Sequence, residues 1–171
     1  GGPAADASKS FVPGRVGIMS RSGGMTTELA SLLAQNGLGV STAISIGGDP
    51  IVGSSFADLL PLFENDSETD AVVTFSEPGG GMEAELADHL RQEGTRLRIV
   101  SFIAGNFMSE MPGVRFGHAG SLVQRESDSA AAKANLLREA GVLVAEELAA
   151  IPVLVQGDPE TSGHSMSVRP C

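Results

Sequence analysis

Arg15-Val16-Gly17-Ile18-Met19, then Ser20-Arg21-Ser22-Gly23-Gly24, then Met25 followed by Leu29, Leu32 and Leu33, is the stretch whose reading decides the fold. Its first five residues are a short, mostly apolar run of strand length. The next five are small and polar and break that run. From Met25 the apolar positions recur at helical spacing, and Asn36-Gly37 supplies the helix stop. Strand, glycine break, helix is therefore the local unit, and the question is whether it repeats.

It does. Leu38 to Ile46 is rich in β-formers and ends in Gly47-Gly48-Asp49-Pro50. Phe56, Leu59, Leu60 and Phe63 make the apolar face of a second helix, with Ser54 or Ser55 as its cap. A strand over Asp70 to Phe75 meets Glu77-Pro78-Gly79-Gly80-Gly81, and a helix runs on through Leu86 and Leu90. Leu97 to Ala104 is the next strand. An irregular stretch with Met108, Met111, Pro112 and Gly113 leads to Phe116-Gly117-His118-Ala119-Gly120. Asp128 to Ala140 is an Ala-rich helix ended by Gly141, Val142-Leu143-Val144 a last short strand, and Leu148 to Val155 a closing helix.

Nearly continuous apolar strands alternating with helices predict a parallel sheet covered on both faces. The expected fold is α/β, a five-stranded doubly wound parallel sheet of the flavodoxin-like kind. Residues 1–13, rich in Gly, Ala, Ser and Pro, read as a linker, 14–156 as the domain, and the polar 157–171 as a flexible tail. The opening Gly1-Gly2-Pro3 reads as a piece of a longer protein.

The chain has 171 residues, 42% of them hydrophobic and 19% charged, which suits one globular domain. Its formal net charge of −10 disfavours nucleic acid and anionic membranes as partners. No apolar run is long enough to cross a bilayer, and the single cysteine is Cys171. Together these predict a cytoplasmic protein without disulfides. Three scattered histidines and that cysteine offer no metal-ligand spacing, so no metal site is expected.

Ligands of doubly wound sheets sit past the carboxyl ends of the strands, where Ser20–Gly24, Gly47–Pro50 and Glu77–Gly81 all fall. There is no G-x-G-x-x-G after the first strand and no G-x-x-x-x-G-K-[ST]. The acidic residues that hold magnesium in a receiver domain are also missing from the end of that strand. What remains is an anion site made of neutral groups. Ser22-Gly23-Gly24 opens a helix, whose free N–H groups and positive end attract an anion; Ser22 reads equally as an ordinary helix cap. His118, set between Gly117 and Ala119-Gly120, is either a surface-loop histidine or an exposed nucleophile toward phosphorus. Glu77 is either a solvated loop acid or the carboxylate that fixes the imidazole tautomer.

Six motifs taken in order, Pro13-Gly14-Arg15-Val16-Gly17, Ser20-Arg21-Ser22-Gly23, Ile46-Gly47-Gly48-Asp49-Pro50, Glu77-Pro78-Gly79-Gly80, Ser101-Phe102-Ile103-Ala104-Gly105 and Gly117-His118-Ala119-Gly120, resemble the ligase domain of the succinyl-CoA synthetase α subunit and of ATP-citrate lyase. The resemblance implies an acid–CoA ligase in which His118 is phosphorylated from ATP or GTP and passes the phosphoryl group to a carboxylic acid such as succinate or citrate. CoA then attacks the acyl phosphate. It implies that Glu77 partners His118. Ser20, Ser22, Gly23 and Gly24, with Gly117 and Gly120, would form the phosphate- or substrate-binding set. It implies no cofactor bound within this chain. CoA, the nucleotide and Mg2+ are expected on partner parts, a CoA-binding domain and an ATP-grasp subunit or domain, in an oligomeric assembly. One departure stands out: the family's Gly-Glu-Ile-Gly-Gly is here Ser76-Glu77-Pro78-Gly79-Gly80, and Pro78 removes an N–H. Two other readings use the same fold without chemistry: a silent binding or assembly module, and an anion sensor acting at Ser22.

Overall fold

The computed structural model describes residues 8–49, 51–105 and 129–157. Its strands are β1 (Pro13–Ser20), β2 (Val40–Ser45), β3 (Ala71–Ser76), β4 (Arg98–Ile103) and β5 (Leu143–Ala145). The helices are α1 (Gly23–Gln35), α2 (Phe56–Glu64), α3 (Met82–Glu93), α4 (Ala130–Glu139) and α5 (Ile151–Gln156). All strand pairings are parallel, in the order β2-β1-β3-β4-β5. The doubly wound α/β sheet expected from the alternation is the one observed.

The pleat divides the core in two. Met19, Val72, Ile99 and Ile103 face α2, α3 and α4, while Val16, Ile18, Val73, Phe75 and Val100 face α1 and α5. Every residue of β3 is buried, which is why its sequence is mostly apolar and shows no polar–apolar alternation. Of the polar residues inside the sheet, Thr74 donates a 2.9 Å hydrogen bond to Ser101, its register partner on β4, while the buried Ser76 hydroxyl has no partner among the described residues.

Local chemistry sets the helix ends. Ser55 caps α2 through a reciprocal box with Asp58, whose carboxylate accepts from the Ser55 N–H at 2.8 Å. Ser129 caps α4, accepting from the Ala132 N–H at 3.2 Å. Helix α1 begins at Gly23, two residues before Met25, because the Ser22 cap outweighs the poor helix propensity of two glycines. The closing helix opens with a 3-10 turn over Leu148–Ala150 before α5.

The described residues 8–13 make contacts with the domain, and the rest of the segment read as a linker lies outside the described residues. Residues 8–10 are helical, Ser31 donates to Ser10 at 2.7 Å, and the Val40 N–H donates to the Val12 carbonyl at 2.7 Å. The polar segment beyond Gly157 lies outside the described residues.

Candidate functional site

Strand order brings the site together. Because β1 lies between β2 and β3, the carboxyl ends of these three strands lie side by side, with Ser20 in register with Ser45 and Phe75. The Ile46 N–H donates to the Ser20 carbonyl at 2.7 Å, and the Arg21 N–H donates to the Phe75 carbonyl at 3.0 Å. The loops after β1, β2 and β3 therefore start from one fixed edge, the position where doubly wound sheets bind ligands.

On the β1 side, Ser20 is fully buried and its hydroxyl serves the turn itself. It donates to the Ser22 carbonyl at 2.8 Å and accepts from the Ser22 N–H at 3.0 Å. That leaves Ser20 shaping the turn, with no lone contact to offer a ligand directly. Ser22 has extended backbone and caps α1, its hydroxyl accepting from the Met25 N–H at 3.4 Å. The cap bond is long and uses Ser22 only as an acceptor, so the hydroxyl proton is free to donate outward. Gly23 and Gly24, exposed at the first two helical positions, carry N–H groups that the helix cannot satisfy. No acidic residue stands in the first turn of α1. Ser45, at the end of β2, stands beside Gly23: a side chain on that glycine would meet its hydroxyl at 3.6 Å.

Helix α3 presents the opposite case. Its N-cap is Gly81, without a side-chain cap bond, and Glu83 and Glu85 sit in its first turn. Glu83 is 1% exposed and pairs with the ammonium of Lys133, 3% exposed, at 2.7 Å. The angle of that approach does not make a hydrogen bond, and both Glu83 oxygens remain without one. The protein's own carboxylate thus occupies the positive end of α3, whereas that of α1 stands open to an outside anion.

Between these helices runs the Glu77–Gly81 loop. Arg21, 5% exposed, donates to the Glu77 carbonyl at 3.3 Å and to the Gly79 carbonyl at 2.8 Å. Lys133 donates to the same two oxygens at 3.2 and 2.6 Å. Gly79 and Gly80 adopt φ of 87° and 76°, a left-handed turn that only glycine enters without strain. The Glu77 side chain is half-buried, and among the described residues its carboxylate takes no hydrogen bond and no ion pair.

The structure thus gathers Ser20, Ser22, Gly23, Gly24 and Glu77 at one edge of the sheet. His118, Gly117 and Gly120 lie outside the described residues. Sequence reasoning placed Arg21 in the loop at this edge without a role, and missed Ser45, Glu83 and Lys133 as parts of it. A signal existed for two of them. Lys133 falls three residues after Ala130 and four before Leu137, and Glu83 three before Leu86, so helical spacing puts both on buried stripes.

Two carboxyls with shifted protonation, Asp70 and Asp66, lie at the opposite, amino edge, and a third, Asp58, lies in the first turn of α2. The Arg15 guanidinium, hydrogen-bonded to Asp70, holds that carboxyl below its ordinary range. Asp66 is lowered by the Thr69 hydroxyl and the Glu68 N–H, and Asp58 by the backbone and hydroxyl of Ser55. An open groove lined by Pro61, Glu64, His89 and Arg96 is also at that amino edge, away from the loops above. Among the described residues no group of three or more His, Cys, Asp or Glu side chains could hold a metal. No helix among them is long and apolar enough to cross a membrane.

A family model described as CoA-ligase matches residues 19–143. The chain is 43% identical over 137 residues to the malate–CoA ligase subunit alpha of Methylorubrum extorquens, covering 80% of this chain and 45% of that protein. It is 42% identical over 140 residues to the ADP-forming succinate–CoA ligase subunit alpha 1 of Archaeoglobus fulgidus, covering 82% and 47%. Among solved structures, the ATP citrate lyase of Methanothrix soehngenii in complex with citrate and coenzyme A superposes with a TM-score of 0.81 at 28% identity, over 91% of this chain and 26% of that one. The chain spans about half the length of the curated relatives it matches.

Proposed function

From the premise that this chain belongs to the CoA-ligase family, we propose that it is the phosphohistidine-carrying domain of an acid–CoA ligase, with His118 as the carrier. An imidazole nitrogen of His118 attacks the terminal phosphorus of ATP or GTP, and the bond to the departing nucleoside diphosphate breaks. A carboxylate oxygen of the acid then attacks that phosphorus, the N–P bond breaks, and an acyl phosphate forms. The CoA thiol attacks the acyl carbon and inorganic phosphate leaves. Splitting the transfer in this way keeps two polyanions from meeting in one pocket.

The observation that carries the reading is the pair of unlike helix ends flanking one loop. Helix α1 offers Gly23 and Gly24 N–H groups and the Ser22 hydroxyl with no acidic residue in its first turn, while the nearby Glu77 carboxylate has no partner among the described residues. A phosphoryl group has donors on one side, and a protonated imidazole nitrogen has an acceptor on the other. Ser20 serves by shaping the turn that presents Ser22. Metal, nucleotide and CoA would be held by an ATP-grasp subunit or domain and by a CoA-binding domain. Those partner parts would make the working enzyme an assembly. The net charge of −10 disfavours nucleic acid and anionic membranes as further partners.

The test is intact-mass detection of acid-labile phosphate on the full-length protein, assembled with its ATP-grasp partner and given Mg-ATP, with His118→Asn as control. One phosphoryl group that vanishes in the control supports the carrier role. No phosphate, with the partner's nucleotide binding verified, refutes it and favours the silent module.

A further inference from the structure

We infer that Arg21 and Lys133 are positioning residues that hold the Glu77 loop from behind, with Glu83 as the buried counter-charge that lets a lysine sit there. Four hydrogen bonds from two cations converge on two carbonyl oxygens, those of Glu77 and Gly79, so that each oxygen accepts twice. Two successive glycines with positive φ make this loop costly to order, and Pro78 alone in its own sequence restrains it. The remaining fixing comes from outside, through one clamp on the end of β1 and another on α4.

Holding the loop by its carbonyls decides which way it faces. No peptide here is cis, so in the planar trans unit the N–H lies opposite the C=O. With the Gly79 carbonyl turned toward the cations, the Gly80 N–H is turned away from them, and the same cations polarise that peptide as a donor. At the Glu77–Pro78 peptide there is no N–H to place. Pro78 therefore costs this arrangement none of its hydrogen bonds, because the carbonyl side makes them all. That accounts for a proline where relatives of this pattern carry an N–H.

Burial sharpens the argument. Lys133 is 3% exposed, Glu83 1% and Arg21 5%, and Arg21 Nε has no hydrogen-bond partner. Taking three charges out of water is expensive, and apolar side chains of similar size commonly stabilise a fold as well or better. Packing alone does not explain two cations aimed at one loop. Orienting Glu77 does. The catalytic consequence rests on the carrier reading above; the mechanical one does not.

The test uses the full-length protein with its ATP-grasp partner and the double variant Lys133→Met with Glu83→Gln. That pair removes two of the loop's four hydrogen bonds, those from Lys133, without leaving an orphan charge. Amide hydrogen exchange should rise across the 76–82 peptide while β3 and α4 stay protected. The rate of phosphate uptake by His118 should fall roughly ten- to hundredfold, the usual cost of a reacting group displaced by about 1 Å. KM for ATP should be unchanged, because the clamp touches no nucleotide. Lys133→Arg should recover most of the rate. Wild-type exchange in the loop, or a rate loss matched by an equal rise in KM without recovery in Lys133→Arg, overturns the inference. If the double variant does not fold, Arg21→Lys carries the test, with the same rise in loop exchange expected and its absence decisive. Wild-type protein that takes up no phosphate would sink the carrier reading, while hydrogen exchange would still decide the clamp.

Discussion

Replacing Gly14, or its neighbour across the crossing Gly39, with alanine should damage this fold more than a methyl group added to any other described glycine. A Cβ at Gly14 would lie 2.2 Å from the Cα of Gly39, 2.4 Å from its carbonyl carbon and 2.6 Å from its nitrogen. The obstacle is backbone, so no rotamer change relieves it. The reverse view is the same, since a Cβ at Gly39 would lie 2.2 Å from the Pro13 carbonyl oxygen. Moving from 2.2 Å to the 3.4 Å of ordinary contact separates β1 from the entry to β2 by about 1.2 Å. Two hydrogen bonds close that crossing, Val16 N–H to the Gly39 carbonyl at 3.1 Å and Val40 N–H to the Val12 carbonyl at 2.7 Å. Opening it puts both beyond bonding range. At about 1 kcal/mol net for each bond, plus overpacking strain of about 1–3 kcal/mol, the loss is about 3–5 kcal/mol. For a chain of this size that corresponds to a fall in Tm of about 6–20 °C. Thermal unfolding followed by circular dichroism measures it, with Gly53→Ala as control. Gly53 has nothing within 4 Å of an added Cβ, so the control should stay within about 0.5 kcal/mol of wild type. A Gly14→Ala protein melting within 2 °C of that control, about 0.5–1 kcal/mol at this size, would show that the close approach is not a constraint in solution.

Two further outcomes follow from the site and from the charged edge. Ser22→Ala should lose the α1 cap, about 1 kcal/mol, whereas Ser22→Asp should keep the cap and place a carboxylate where the phosphoryl group is proposed to rest. Near-wild-type melting with abolished phosphate uptake is expected of Ser22→Asp, and normal uptake in that variant would remove the anion role from this helix end. The second concerns acid. Asp70, Asp66 and Asp58 all have depressed folded values, caused first by hydrogen bonds from Arg15, Thr69 and Ser55 respectively. A depressed carboxylate gives stability that is complete above the unfolded value of about 3.9 and is lost as pH falls through the folded one. Melting temperature should therefore decline below about pH 4, and Asp70→Asn should flatten part of that decline; an unchanged slope in the variant would mean the Arg15 pair does not persist in solution.

The sequence by itself determined the element order, the sheet class and the chemistry of the carboxyl edge. Those properties are local or periodic. The apolar run Ala71-Val72-Val73 in β3 announces burial on both faces, the spacing of Phe56, Leu59, Leu60 and Phe63 announces one face of α2, and Ser22-Gly23-Gly24 announces a helix start without a carboxylate. The six collinear motifs added Glu77 and His118, of which the described residues place Glu77 at the expected edge. Tertiary structure alone decided what holds that edge. Arg21 and Lys133 reach the Glu77 and Gly79 carbonyls from more than fifty residues away along the chain, and no local pattern reports a contact at that separation. A lysine in an Ala-rich helix reads as a solvated charge until Glu83, on another helix, is seen to bury with it. The same holds for Gly14 and Gly39. Each looks like ordinary turn chemistry in the sequence, and only the crossing of two backbones at 2.2 Å from a would-be Cβ explains why neither can carry a side chain.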